Sequence, residues 1–257
     1  YPKKYQAKRS ILSFIVNRQP RMSMEVELFL PKGLGAGVTM ASGKVLVAGM
    51  GAAVSVNSAS GAVEIKDVGG RVEATVSSGR LDVSDISGDV DLQVVSGVLD
   101  ARDITGNASA QVSSGTIEMA HIGGGLDCSI EYGTVVVDGV GDLEFEGISA
   151  ESRFTGVRGA IKASTASGAS SFRVKPEKDV DYTIIASSGD ISVRFVDVMP
   201  GGYLLKAATT SGEITVTLPI EVKAVGRNSI AGAVREGKAR IFLETASGDI
   251  IIEEPEE

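Results

Sequence analysis

A chain of 257 residues, 43% of them apolar, is long enough for one or two domains with a real core, which excludes disorder as its global state. One Cys and one His exclude an intrachain disulfide framework and an ordinary zinc site. A net charge of −8 argues against nucleic acid as a partner, because phosphate backbones need a basic surface.

Residues 1–31 alternate weakly (Leu12, Phe14, Val16, then Met24, Val26, Leu28, Leu30), which predicts irregular strands that cap whatever follows and belong to the same domain as 32–257. Residues 1–21 carry Lys3, Lys4, Lys8, Arg9, Arg18 and Arg21 and no acidic side chain. Basic strands capping an acidic body are one reading of that segment, and peripheral contact with anionic lipid is the other. No stretch approaches the ~18 apolar residues of a membrane span, and no signal peptide opens the chain.

From residue 42 an internal repeat takes over. Ser-Gly recurs at 42–43, 60–61, 78–79, 96–97 and 114–115, with Tyr132-Gly133 next, each step 18 residues long. A second Gly (Gly70, Gly88, Gly106, Gly124) falls nine residues after the preceding one. Apolar columns keep the same period: Val45, Val63, Leu81, Leu99, Ile117, Val135; Val47, Ile65, Val83, Ala101, Met119, Val137; Met50, Val68, Ile86, Ile104, Ile122, Val140. Alternation of period two with glycine at the corners predicts an all-β fold, a right-handed parallel β-solenoid with an 18-residue coil. Counting onward gives about twelve coils and, at ~4.8 Å per coil, a rod on the order of 60 Å long. No Pro lies between Lys32 and Lys175, as strands with ladder neighbours on both sides require. Aromatics are absent between Pro31 and Glu131 and frequent afterwards, so the later coils should have the fatter core.

After residue 150 the Ser-Gly spacing becomes 21 (167 to 188), 23 (188 to 211) and 36 (211 to 247), the last read as two turns with one degenerate marker. The two long coils contain Lys175–Asp179 and Asp197–Gly202 near the mid-coil corner, with Pro219 at the same place one coil later. Corner insertions stack along one edge, so the loops should lie side by side with Phe195 and Tyr203 near their bases. Loops on a rigid scaffold often carry binding. The candidate partner-binding edge is therefore Pro176, Glu177, Lys178, Phe195, Met199, Pro200 and Tyr203.

Val26-Glu27-Leu28-Phe29-Leu30-Pro31-Lys32-Gly33, the Ser-Gly ladder, and the closing Thr209-Thr210-Ser211-Gly212-Glu213-Ile214 and Thr245-Ala246-Ser247-Gly248-Asp249-Ile250 resemble a bacterial adhesin-type β-solenoid family, a domain of unknown function. The resemblance covers most of 24–254. It implies an interaction domain associated with the cell envelope, extracytoplasmic or membrane-associated, in some members tied to envelope-stress signalling. It carries over no catalytic residue.

Several side-chain patterns admit a chemical reading. Glu64, Asp82, Asp100 and Glu118 form one outward column, and Glu73, Asp91 and Asp127 another. Calcium would want several oxygens at about 2.3–2.6 Å, but an apolar residue replaces the Gly of the calcium-turn repeat, and Lys66, Arg80 and Arg102 share the acidic face. No metal or cofactor is expected. The Ser column needs a base to become nucleophilic, and the sole His, His121, takes the column place of Asp67, Asp85 and Asp103, a surface position. Cys128 follows Ala74, Leu92 and Ala110 in an apolar column and reads as a core residue. The reading is a non-catalytic, envelope-associated binding or scaffold domain whose partner is a protein or envelope component. The alternatives are a self-assembling scaffold resembling the bactofilins and a polysaccharide-active β-helix enzyme.

Overall fold

A computed structural model describes residues 30–31, 33–197, 201–234 and 238–254, and among these there is no helix. The first two coils each comprise two strands, β1 (Ala36–Met40) with β2 (Gly43–Met50), then β3 (Val54–Ser58) with β4 (Gly61–Val68). Five 15-residue strands then run through the corner without a break: β5 (Val72–Ile86), β6 (Val90–Ile104), β7 (Ala108–Ile122), β8 (Leu126–Val140) and β9 (Leu143–Val157). All neighbours are parallel and in register, Val72 beside Val90 beside Ala108 beside Leu126. The next step, Leu126 to Leu143, is one residue short, because the corner Gly141-Asp142 has two residues where Ser87-Gly88-Asp89 has three. The three apolar columns predicted above are buried along their whole length, each half-coil turning one face inward across a narrow core. Burying one such Val, Leu or Ile contributes roughly 1.5–3 kcal/mol.

The Ser-Gly corners are held by contact between backbones. Gly97 has φ +144°, and a Cβ placed on it would lie 1.8 Å from the Gly79 carbonyl oxygen. Gly61, Gly79, Gly115 and Gly133 repeat this geometry. The mid-coil glycines differ from the expectation of positive-φ corners: Gly88 does not adopt positive φ, and it is needed because a Cβ there would sit 2.6 Å from Gly70 backbone atoms. Positive φ falls instead on Asp67, Asp85, Asp103 and His121, at 53° to 57°, and the column continues through Gly139 and Gly156. Asp, His and Gly are the residue types that tolerate this left-handed conformation. Beyond it an Asx ladder ties the mid-coil corners together. Asp89 accepts from the Asn107 N–H at 2.8 Å, and Asn107 from the Gly125 N–H at 2.9 Å.

Aromatics enter the core where the sequence expects them. Phe145 meets Phe154 edge-on at 4.9 Å, and Phe154 stacks on Phe172 at 5.1 Å. Such pairs contribute about 0.5–1.5 kcal/mol beyond area burial. Gly147 makes room, since a Cβ there would lie 3.0 Å from the Phe145 ring. The buried hydroxyls of Ser152, Ser170 and Thr165 satisfy one another at 2.9 and 3.2 Å.

The end of the chain departs from the expected order. After β10 (Ile161–Ser167) with β11 (Ser170–Val174) and β12 (Tyr182–Ser188) with β13 (Ile191–Phe195), the next coil in sequence is β14 (Tyr203–Ser211) with β15 (Ile214–Val216). It does not stack on β12 and β13. The last coil, β18 (Ala239–Ser247) with β19 (Ile250–Glu253), lies between them: β12 and β14 both pair with β18, and β13 and β15 both pair with β19. Side chains follow the same order, Asp190 accepting from the Asp249 N–H and Asp249 from the Glu213 N–H. The described residues between Ser211 and Ser247 thus hold no hidden coil, and the described stack has fewer coils than the expected twelve. They hold an antiparallel hairpin, β16 (Glu221–Val225) and β17 (Ser229–Val234), which lies on the outer edge of β14.

This order makes a direct prediction. With Ser247→Cys, oxidative cross-links should form to Ser188→Cys and, in a separate variant, to Ser211→Cys, because each pair is in register on adjacent strands where Cα spacing suits a disulfide. The Ser188→Cys, Ser211→Cys pair, two coil heights apart with β18 between them, should not cross-link. Mass spectrometry of non-reduced peptides reads the result.

Candidate interaction edge

The segments that follow Val174 and Phe195, themselves register partners, leave the ladder at the same corner, and Lys178 of the first meets Gly201 of the second. A Cβ on Gly201 would lie 3.7 Å from Lys178 Cγ, so the Lys178 stem packs against Gly201. Asp179, with φ +59°, makes the reversal of the first. The second loop is long for a reason the repeat conceals. It carries the chain from Phe195 past the level of the inserted β18–β19 coil to Tyr203, two coil heights instead of one.

The predicted edge residues separate into two groups. Glu177 and Lys178 are exposed on the first loop. Pro176, Phe195 and Tyr203 are buried and form the floor beneath the loops. Met199 and Pro200 lie outside the described residues, as do residues 1–21 with their basic side chains. Under the first loop the Tyr182 ring packs 6.1 Å from Phe195, its hydroxyl buried beside the Glu177 backbone. Burial pushes the pKa of Tyr182 up to about 12, and that of Tyr203 likewise to about 12.

The charged columns are where the sequence puts them. Glu64, Asp82, Asp100 and Glu118 are register partners. Lys44 and Lys66 both reach Glu64, at 3.2 and 3.1 Å, and Arg80 bridges Asp82 and Asp100, at 2.6 and 2.8 Å. The two lysines hold the Glu64 carboxyl below the usual range, Lys66 first, while Asp82 raises Arg80 further. On the other half-coil Arg71 pairs with Glu73 at 3.0 Å. Among the described residues no three His, Cys, Asp or Glu side chains gather closely enough to hold a metal ion. His121 Nδ1 lies 3.0 Å from Asp103 Oδ1 on the exposed left-handed column. Cys128 is fully buried, and burial pushes its thiol pKa far up.

Sequence reasoning missed a change of sign on this face. Continued past residue 140, the Glu64 column reaches Arg153, and the neighbouring outward column of Lys66 and Arg102 reaches Arg173 and Arg194, which are directly in register. The signal was present, since those two arginines stand 21 residues apart, the same interval as Ser167 to Ser188. A separate depression of about 590 Å³ lies over Asp127, Asp142, Glu144 and Asp181, where Lys162 pairs with Glu144.

Residues 139–253 match the family model described as Toastrack DUF4097, a domain of unknown function. The match takes in the aromatic coils, both loops, the hairpin and the inserted coil, and leaves the regular coils from Ala36 to Asp138 outside it. Comparison with curated proteins and with solved structures gives no match.

The buried tyrosines give the edge a pH signature. The fold favours their neutral form, so this contribution is whole below the unfolded pKa near ~10 and is lost as pH rises through about 12. Of the five tyrosines, Tyr182 and Tyr203 should stay un-ionised in native protein up to that pH, read by absorbance at tyrosinate wavelengths. Tyr182→Phe should delay alkaline loss of structure.

Proposed function

We propose that this chain is a non-catalytic binding or scaffold module of the bacterial cell envelope, adhesin-like, with a protein or envelope component as partner. The observation that carries the reading is the corner after Val174 and Phe195, where Lys178 packs against Gly201. A rigid, register-locked stack presents this contact at one edge, with Glu177 and Lys178 exposed above a buried floor of Pro176, Phe195 and Tyr203. Binding loops held by a stiff frame lose little entropy on engaging a partner. A non-catalytic role is supported by the chemistry of the obvious nucleophile and base. The sole imidazole is paired to Asp103, and the sole thiol is buried and held protonated. Envelope association rests on the family resemblance, and peripheral lipid contact on the six basic side chains of residues 1–21.

A self-assembling scaffold is the second reading, and one feature favours it. Among the described residues β1 pairs only with β3 and β2 only with β4, leaving their outer edges open. End-to-end growth needs two such ends. The opposite end carries the β16–β17 hairpin, with a register irregularity between Val222 and Ala224 and charged Glu221 and Lys223 on its outer strand. Irregular, charged edges resist strand addition.

Replacing 176–179 and 198–202 with short Gly-containing turns should preserve the thermal transition and abolish capture of a partner from a cell-envelope extract. Capture that survives both trims would remove this edge from consideration. Negative-stain images over a concentration range should show short particles throughout, and long filaments at low concentration would favour the scaffold.

A further inference from the structure

The arginine cluster opposes the character of the rest of the chain. The protein carries a net charge of −8, and the outward columns hold Glu64, Asp82, Asp100 and Glu118 in the early coils. Further along the stack the acidic column gives way to Arg153, and the neighbouring outward column, which holds Lys66 and Arg102 in the early coils, continues to Arg173 and Arg194. Arg173 stands directly beside Arg194 on the adjacent strand, and Arg153 stands beside Ser171. Like charges directly opposite on neighbouring strands, about 5 Å apart, destabilise a sheet. Glu253, in register with Arg194 on the inserted coil, offsets one of the three, accepting from Arg194 Nε at 2.7 Å. Arg153 and Arg173 remain exposed and make no ion pair among the described residues. Together with the hydroxyls of Ser171 and Ser192 they line a groove of about 290 Å³.

We propose that this groove is a phosphate-binding site, taking a phosphate or phosphomonoester dianion between Arg153 and Arg173. Two positive charges in excess match a dianion, whereas a single carboxylate would leave one arginine uncompensated. Planar guanidinium forks bind phosphate oxygens in pairs, and the two serine hydroxyls add donors suited to a group with more than two acceptor oxygens. The groove admits a small head group; the adjacency of Arg173 and Arg194, costly when empty, becomes favourable once an anion bridges the face.

The inference stands apart from the envelope reading, since trimming the two loops should leave phosphate binding intact. The test is calorimetric titration of the full chain with inorganic phosphate and with glycerol 3-phosphate at constant ionic strength in chloride. Saturable binding should weaken at least ~10-fold in Arg173→Gln, the loss expected for one charge-assisted pair. Phosphate should raise the unfolding midpoint of the parent protein and leave that of Arg173→Gln unmoved. Without phosphate, Arg173→Gln should be no less stable than the parent, because it removes a like-charge contact. Arg153→Gln gives the same readout at a second position. Flotation with phosphatidic acid in phosphatidylcholine vesicles separates the sources: retention that depends on Arg173 assigns a lipid head group, and its absence with intact phosphate binding assigns a free phosphate compound. Failure of both small anions to bind, or binding unchanged in both variants, would overturn the proposal.

Discussion

At every Ser-Gly corner from Gly61 onward one coil rests its backbone on the corner of its neighbouring coil, at a distance no Cβ could share. The rest of the structure depends on that contact. Where Gly97 meets Gly79, the approach sets the height of a coil, and the height sets the parallel ladder that keeps Val63, Leu81, Leu99 and Ile117 in one buried column. A corner that held its neighbour further off would open the narrow core, where buried side chains gain their dispersion energy only by close contact. At Ala150 the column changes residue, and there the Cβ is buried while the following Gly168 still packs against the Ala150 carbonyl. The stack absorbs that change beside the one short corner and the entry of the first phenylalanines.

Because all corners share one geometry, any coil fits against any other. The last coil can therefore occupy the level between β12–β13 and β14–β15 without loss of register, and the Ser-Gly glycines at 189, 248 and 212 stack in that spatial order. The consequence is a closed end. The coil β18–β19 is held inside the stack with neighbours on both sides, and the segment before it supplies the outer hairpin. The same insertion brings Glu253 beside Arg194 and completes the charged face, so the topology of the end and the electrostatics of the groove have one cause.

The first half of the fold was legible because corner, column and period coincide in linear sequence from Ser42 to Gly133. The left-handed column was visible as aligned Asp67, Asp85, Asp103 and His121, and their conformational role followed only from the backbone. The inserted coil was not legible. A pairing across 59 residues leaves no local mark when Thr245-Ala246-Ser247-Gly248 would serve equally at any level. The interval before it did carry a hairpin signal, two short β-rich runs around Gly226-Arg227-Asn228, which the assumption of an unbroken period overrode. At the loop edge, the spacing put both insertions at the corner where Lys178 meets Gly201 and could not tell floor from surface, because Pro176, Phe195 and Tyr203 are buried by contacts that only the stack defines.

Comparison of Gly97→Ala with Gly37→Ala in denaturant unfolding tests the corner contact most directly. Both change one hydrogen to a methyl in a strand, but nothing lies within 4 Å of a Cβ at Gly37, and Gly97 alone has the positive φ and the carbonyl 1.8 Å away. Gly97→Ala should lose about 3 kcal/mol or more of stability, or fail to fold, while Gly37→Ala stays within about 1 kcal/mol of the parent. A Gly97→Ala protein as stable as the parent would contradict the account.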